Sequence, residues 1–102
     1  MRFAKVLGNV VCTQKDVNAE GWKMLIVQPV GLDLAPKGDP LVAVDSVNAG
    51  EGELVLLCAG SSARQTETTK NKPCDLVIIG IVDTIEKDGS IIFKKFETAG
   101  FK

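Results

Sequence analysis

The chain has 102 residues, with twelve basic against thirteen acidic side chains for a net charge of -1, and it contains no histidine. That length supports one domain around one core, and so balanced a charge offers no general field for a phosphate backbone or an anionic membrane, so neither nucleic acid nor membrane is an expected partner. Without histidine the commonest metal ligand and the commonest general base are both missing, while ten glycines and an aromatic content of 5% point to aliphatic strands joined by tight turns.

Residues 2–13 read as a first strand, with Phe3, Val6, Leu7, Val10 and Val11 set among polar residues and Gly8 marking a bend or barrel corner. Lys5 interrupts any leader-like apolar core there, so no secretory peptide is read. Residues 14–22 form a polar connection. Asp16 to Gly21 opens like a calcium loop, but Val27 stands where the bidentate glutamate belongs, and a solvated turn is expected instead. Met24-Leu25-Ile26-Val27 is a second strand stopped by Pro29, and residues 31–40, with two prolines and Gly38, are loop.

Leu41-Val42-Ala43-Val44 is a third strand leading to Asp45, and residues 47–53 are a turn whose glycines supply positive φ. Gly50-Glu51-Gly52 begins like a dinucleotide fingerprint, yet the third glycine is missing and a strand follows where a helix is needed. Leu54 to Ala59, the longest apolar run, lies between Glu53 and Gly60 and suits a strand buried on both faces. Ser62 with Gln65 makes a capping box, so residues 62–70 are expected to form at most two helical turns, ended by Asn71-Lys72-Pro73. Arg64 would stand in the first turn, where the helix dipole disfavours a cation by a few tenths of a kcal/mol, so its role lies outside that segment. A fifth strand spans residues 76–85. Asp88-Gly89 then turns a hairpin into Ser90-Ile91-Ile92-Phe93, residues 97–102 are a tail, and Lys94, Lys95 and Lys102 form a solvated edge.

The expected fold is therefore all-β with one short helix: a small closed or nearly closed five-stranded OB-like β-barrel plus a C-terminal hairpin, as a single domain over residues 1–102. Closure removes the sticky edges that short aliphatic strands would otherwise leave, and the helix would cap one open end. Cys12, Cys58 and Cys74 are too few and too far apart for a disulfide framework or a zinc site, and buried, reduced thiols are expected. Gly60-Ser61-Ser62-Ala63-Arg64 begins like a nucleophile elbow, but Arg64 replaces the second glycine and no histidine exists to activate either serine. No catalytic, cofactor or metal site is assigned. The scattered aromatics form no stacking platform, so an oligonucleotide- or sugar-binding barrel is the alternative that the fold alone suggests.

The run from Val42 to Leu57, followed by Gly60-Ser61-Ser62-Ala63-Arg64-Gln65, resembles the EutN/CcmL family of bacterial microcompartment vertex proteins. Ala4 to Thr13 resembles that family's opening strand and Pro73 to Asp83 its last long strand, so the likeness spans nearly the whole chain in order. Asn48 stands where the family usually has glycine, and Asn is among the residues that tolerate left-handed backbone. The resemblance implies a non-catalytic β-barrel protomer that assembles as a homo-pentamer at the corners of a shell of hexameric proteins, inside the cell. It implies an inner ring built from Asn48, Ala49, Gly50, Gly60, Ser61, Ser62 and Ala63, and an intersubunit pair between Arg64 and Asp45. The C-terminal hairpin is closer to metabolosome members than to carboxysome ones.

Overall fold

Alternation of inward and outward side chains sets the architecture of the computed structural model, which describes residues 1–13, 21–60 and 75–95. Seven strands follow in order: β1 (Arg2–Val10), β2 (Met24–Val30), β3 (Leu41–Asp45), β4 (Leu54–Ala59), β5 (Leu76–Ile81), β6 (Thr84–Lys87) and β7 (Ser90–Lys94). The first five close into a barrel in the order β1-β2-β3-β5-β4, with β4 returning to pair with β1. β3 and β5 run parallel and every other neighbouring pair is antiparallel. Among the described residues there is no α-helix, and the expected helical turns at 62–70 lie outside them.

Inside the barrel, Ala4 and Val6 of β1, Leu25 and Val27 of β2, Ala43, Val55, Leu57 and Ile78 pack as one buried cluster. The residues between them point outward, as the two-residue period of a strand requires. Val44 and Val77 therefore form a second, outer cluster, with Trp22, Met24, Cys58 and Ile79 packed against it. β4 is buried on both faces along most of its length, as its unbroken apolar run requires. β1 changes register against β2 between Val6 and Gly8, which is the expected bend.

Three strand boundaries differ from expectation. β1 ends at Val10, short of the expected residue 13. β2 runs through Pro29, which pairs with Ala4 and is buried. The Pro29 carbonyl accepts from Lys37 N at 2.9 Å, on the side away from β1. The nitrogen of a strand residue faces the same side as its carbonyl, so the missing N–H leaves the β1 ladder intact. β3 pairs with β2 only as far as Val27, and beyond that the loop at 31–38 covers the free side of β2. The expected fifth strand over 76–85 is in fact two strands. β5 ends at Ile81, opposite Val55 near the start of β4, and after Val82 N donates to Leu54 O the barrel has no further partner to offer. The chain then leaves as the β6–β7 hairpin, turned by Asp88 at φ 53 and Gly89 at φ 81 as the Asp-Gly pair requires.

The cysteines divide. Cys58 is half-buried beside the outer cluster, but Cys12 is exposed just past the end of β1, contrary to the expected burial; both are free thiols, and Cys74 lies outside the described residues.

Candidate functional site

The eight residues 46–53 link β3 to β4, which are separated in the sheet by β5, so the loop must cross one end of the barrel. It makes contact with two walls on the way. Ser46 Oγ donates to the Ile78 carbonyl of β5 at 2.7 Å, Gly52 N donates to Val6 O of β1 at 2.8 Å, and Val6 N donates back to Glu53 O at 3.0 Å. Ala49, 1% exposed, inserts into the inner core with Val47 packed beside it, so the loop closes that end of the barrel with its own side chains.

Two carboxylates shape the loop from its two ends. At its start, Asp45 Oδ1 accepts from Val47 N at 3.1 Å and Oδ2 from Ala49 N at 2.8 Å. The Asp45 side chain is fully shielded from solvent, and such a carboxylate persists only with donors on its oxygens. Lys23 supplies the matching charge, with Nζ 3.4 Å from Asp45 Oδ2, and it also donates to Asn48 Oδ1 at 3.1 Å and to the Ala49 carbonyl at 3.2 Å. At its other end, Glu53 Oε1 accepts from Gly50 N at 2.6 Å while Oε2 pairs with Lys95, just beyond β7. The hydrogen bond from Lys95, and after it the one from Gly50 N, hold the Glu53 carboxyl below its ordinary value of 4.5, against a smaller opposing effect of burial.

Backbone conformation completes the site. Asn48 has φ 60 and Gly52 φ 88, so the loop twice enters the left-handed region. Asparagine at the first of these keeps the turn that glycine would make, and its side chain gains the Lys23 contact.

Of the residues expected at an inner ring, Asn48, Gly50 and Gly60 are exposed, whereas the Ala49 side chain belongs to its own barrel core. Asn48 and Gly50 share the closing loop. Gly60, at φ 69 with its N–H on the Asp75 carbonyl at 3.0 Å, lies beyond the opposite end of β4, about 20 Å away along the strand at ~3.3 Å per residue. Ser61, Ser62, Ala63 and Arg64 lie outside the described residues. Asp45, expected to meet Arg64, has both oxygens engaged within its own chain. Sequence reasoning missed Lys23, Glu53 and Lys95: Lys23 falls between the polar connection at 14–22 and the second strand and receives no role, Glu53 stands only as a strand boundary, and Lys95 only as part of a solvated edge. Lys95 is in fact only 25% exposed. The readable signal was Asp45 and Glu53 themselves, acidic residues placed at the two ends of a glycine-rich turn.

Comparison with known proteins gives the same architecture. Residues 1–83 match the family described as ethanolamine utilisation protein EutN/carboxysome. The chain is 42% identical over 95 residues to the bacterial microcompartment shell vertex protein EutN of Salmonella typhimurium, covering 93% of this chain and 96% of that protein. The structure of Gloeobacter violaceus CcmL superposes with a TM-score of 0.90 at 37% identity, covering 95% of this chain and all of the other. That of GrpN, a pentameric microcompartment shell protein from Rhodospirillum rubrum, superposes with a TM-score of 0.78 at 42% identity, covering 85% and 99%. A match over most of the chain, at this identity and with the same barrel, places the protein in the EutN/CcmL family.

Proposed function

We infer that this protein is a structural component of a bacterial microcompartment shell, in which it forms the pentameric vertices. The observation that carries the reading is the full-length likeness to shell vertex proteins, one of whose solved structures is described as a pentamer. The geometry suits the role. A closed barrel is a rigid wedge with no free sheet edge of its own, and a heterologous contact repeated by rotation closes five such wedges into a ring. Hexameric shell proteins are the proposed neighbours, because six-fold tiles alone make flat sheets and five-fold units let them close. No catalysis is proposed for the chain, and its place is inside the cell, in the shell.

Within that ring we place the axis along β4, since the exposed Asn48 and Gly50 stand beyond one of its ends and the exposed Gly60 just past the other. Asn48 and Gly50 would then line one mouth of the axis, with Gly60 and the adjoining residues Ser61, Ser62 and Ala63 at the other. Native mass spectrometry tests the reading: five copies per particle at micromolar concentration are expected, together with incorporation into closed shells on co-expression with a hexameric shell protein. A chain that stays monomeric throughout, or that binds single-stranded DNA with an affinity falling steeply with salt, would instead favour the oligonucleotide-binding barrel.

A further inference from the structure

Lys23 stands just before β2, and its ammonium reaches three oxygens at the end of β3 and in the loop that follows: Asp45 Oδ2, Asn48 Oδ1 and the Ala49 carbonyl, at 3.4, 3.1 and 3.2 Å. A lysine ammonium has three N–H donors and no acceptor, so these contacts match its full donor capacity. Its backbone is fixed to the same place, because Asp45 N donates to the Lys23 carbonyl at 2.8 Å. Asp45 holds the loop through the amides of Val47 and Ala49, which are donors. Those bonds leave the Asn48 side chain and the Ala49 carbonyl unconstrained, and Lys23 binds both. One side chain from outside the loop thereby gathers acceptors from two of its residues and from Asp45 at its root, and it does so within a single protomer.

We propose that Lys23 is a positioning residue for the ring contact: it sets the shape of residues 45–49 before subunits meet, so that Asn48 and Gly50 reach the neighbour in one conformation. The inference rests on reading this loop as lying near the axis of a ring. Its physical basis is the entropy of association. A loop ordered only on contact loses conformational freedom at each interface, which weakens binding, whereas a loop already ordered in the free protomer does not. In a ring every protomer contributes one such loop, so the effect is repeated at each contact. Lys23 suits the task because its side chain is 47% exposed while the Asp45 side chain is 0% exposed, so the cation keeps part of its hydration as it neutralises a dry carboxylate.

The test compares Lys23→Met and Lys23→Arg with the unaltered chain, following ring dissociation on dilution by native mass spectrometry, amide exchange at Val47 and Ala49 in the dissociated protomer, and thermal unfolding. The expected result for Lys23→Met is a half-dissociation concentration raised about tenfold, corresponding to ~1.4 kcal/mol, with faster exchange at both amides, protection retained in the β1–β2 ladder, and a lowered protomer melting temperature because the shielded Asp45 carboxylate loses its countercharge. Lys23→Arg should restore most of the ring. A Lys23→Met ring as tight as the unaltered one overturns the inference and leaves the ring reading standing. A weakened ring with unchanged exchange at Val47 and Ala49 also overturns it, since Lys23 would then act on the neighbour directly. An unaltered chain that never forms a ring removes the ring reading itself, and with it the contact that Lys23 would prepare.

Discussion

Glu53 and Lys95, 42 positions apart in sequence, form an ion pair that joins the barrel-closing loop to the root of the C-terminal hairpin. The same carboxylate binds Gly50 N inside the loop, and Lys95 N donates to Asp83 O at 2.8 Å where the hairpin leaves the barrel. β6 and β7 pair mainly with each other, and an isolated two-stranded hairpin is marginal in water. The pair at its root therefore helps seat it on the barrel, beside an open groove of about 230 Å³ lined by Phe93, Val30, Leu34 and Leu54.

Removing that charge should free the hairpin and leave the barrel folded. Glu53→Gln is expected to cost about 1 kcal/mol, the upper range for a pair that is still partly wet, and to speed amide exchange across β6 and β7 while the β1–β5 amides stay protected. The pH dependence has a definite sign. The folded-state carboxyl titrates below 4.5, so its contribution is complete above that value and is lost as the pH falls through the lower folded value. Hairpin protection factors, taken relative to the intrinsic exchange rate at each pH, should therefore fall in the unaltered chain on acidification below pH 4.5, and Glu53→Gln should abolish that response. A hairpin equally protected in both proteins would show that it is held without the pair.

The core predicts a larger effect. Ile78 is 0% exposed and packs with Leu57 in the barrel interior. Ile78→Ala should cost about 2–5 kcal/mol, the range for emptying a buried aliphatic site, and lower the melting temperature of the dissociated protomer by ~10 °C or more. Val42, one strand away and 51% exposed, supplies the control: Val42→Ala should stay within about 0.5 kcal/mol in the same protomer.

The strands were legible where burial repeats with a fixed period. Leu54 to Ala59 announces a two-faced strand because every position is apolar, and Asp88-Gly89 announces a hairpin because both positions need positive φ. Pro29 misleads for a reason that sequence does not carry. Whether a strand proline breaks the ladder depends on which side its nitrogen faces, and that is fixed by the register with Ala4. The division of residues 76–85 into two strands follows from where β4 begins on the neighbouring strand. At the site, Asp45 and Asn48 were visible as residue types suited to turns, but their bond to Lys23 spans more than twenty positions and has no local signature. Long-range charge pairs of this kind are set by the barrel's closure, so they become readable only once the strand order is known.

Arg64 yields a test of the ring from a residue outside the closing loop. We propose that it makes an intersubunit ion pair, because the Ser62 and Gln65 pattern would put it in a first helical turn, where the dipole disfavours a cation. Arg64→Ala should then weaken the ring by an order of magnitude or more while leaving protomer unfolding nearly unchanged, since a partly buried pair broken on one side leaves a stranded charge. A double-mutant cycle with Asp45→Asn, read on ring dissociation, identifies the partner. Coupling above about 0.5 kcal/mol supports Asp45. Additive effects point to another carboxylate, as the full engagement of Asp45 within its own chain would favour. A ring unaffected by Arg64→Ala ends the proposal.

Asn48 separates two demands that fall on one residue. Its φ of 60 favours glycine, yet its Oδ1 accepts from Lys23 at 3.1 Å, which glycine cannot do. Asn48→Gly relieves backbone strain and loses that hydrogen bond, so the two effects offset and protomer stability should change by less than about 0.5 kcal/mol. Asn48→Val loses both advantages. A β-branched side chain in left-handed backbone costs roughly 1–2 kcal/mol, and the absent acceptor adds about 1 kcal/mol more. Thermal unfolding of the dissociated protomers should thus rank Asn48→Val well below the other two. Asn48→Asp provides the decisive comparison, because it keeps an oxygen acceptor, tolerates the same φ, and strengthens the attraction to Lys23 when ionised. If it proves no less stable than the unaltered chain, while Asn48→Val is strongly destabilised, the loop is held by conformation and Lys23 together. If Asn48→Gly instead exceeds both, conformation alone governs the turn and the lysine contact contributes nothing measurable.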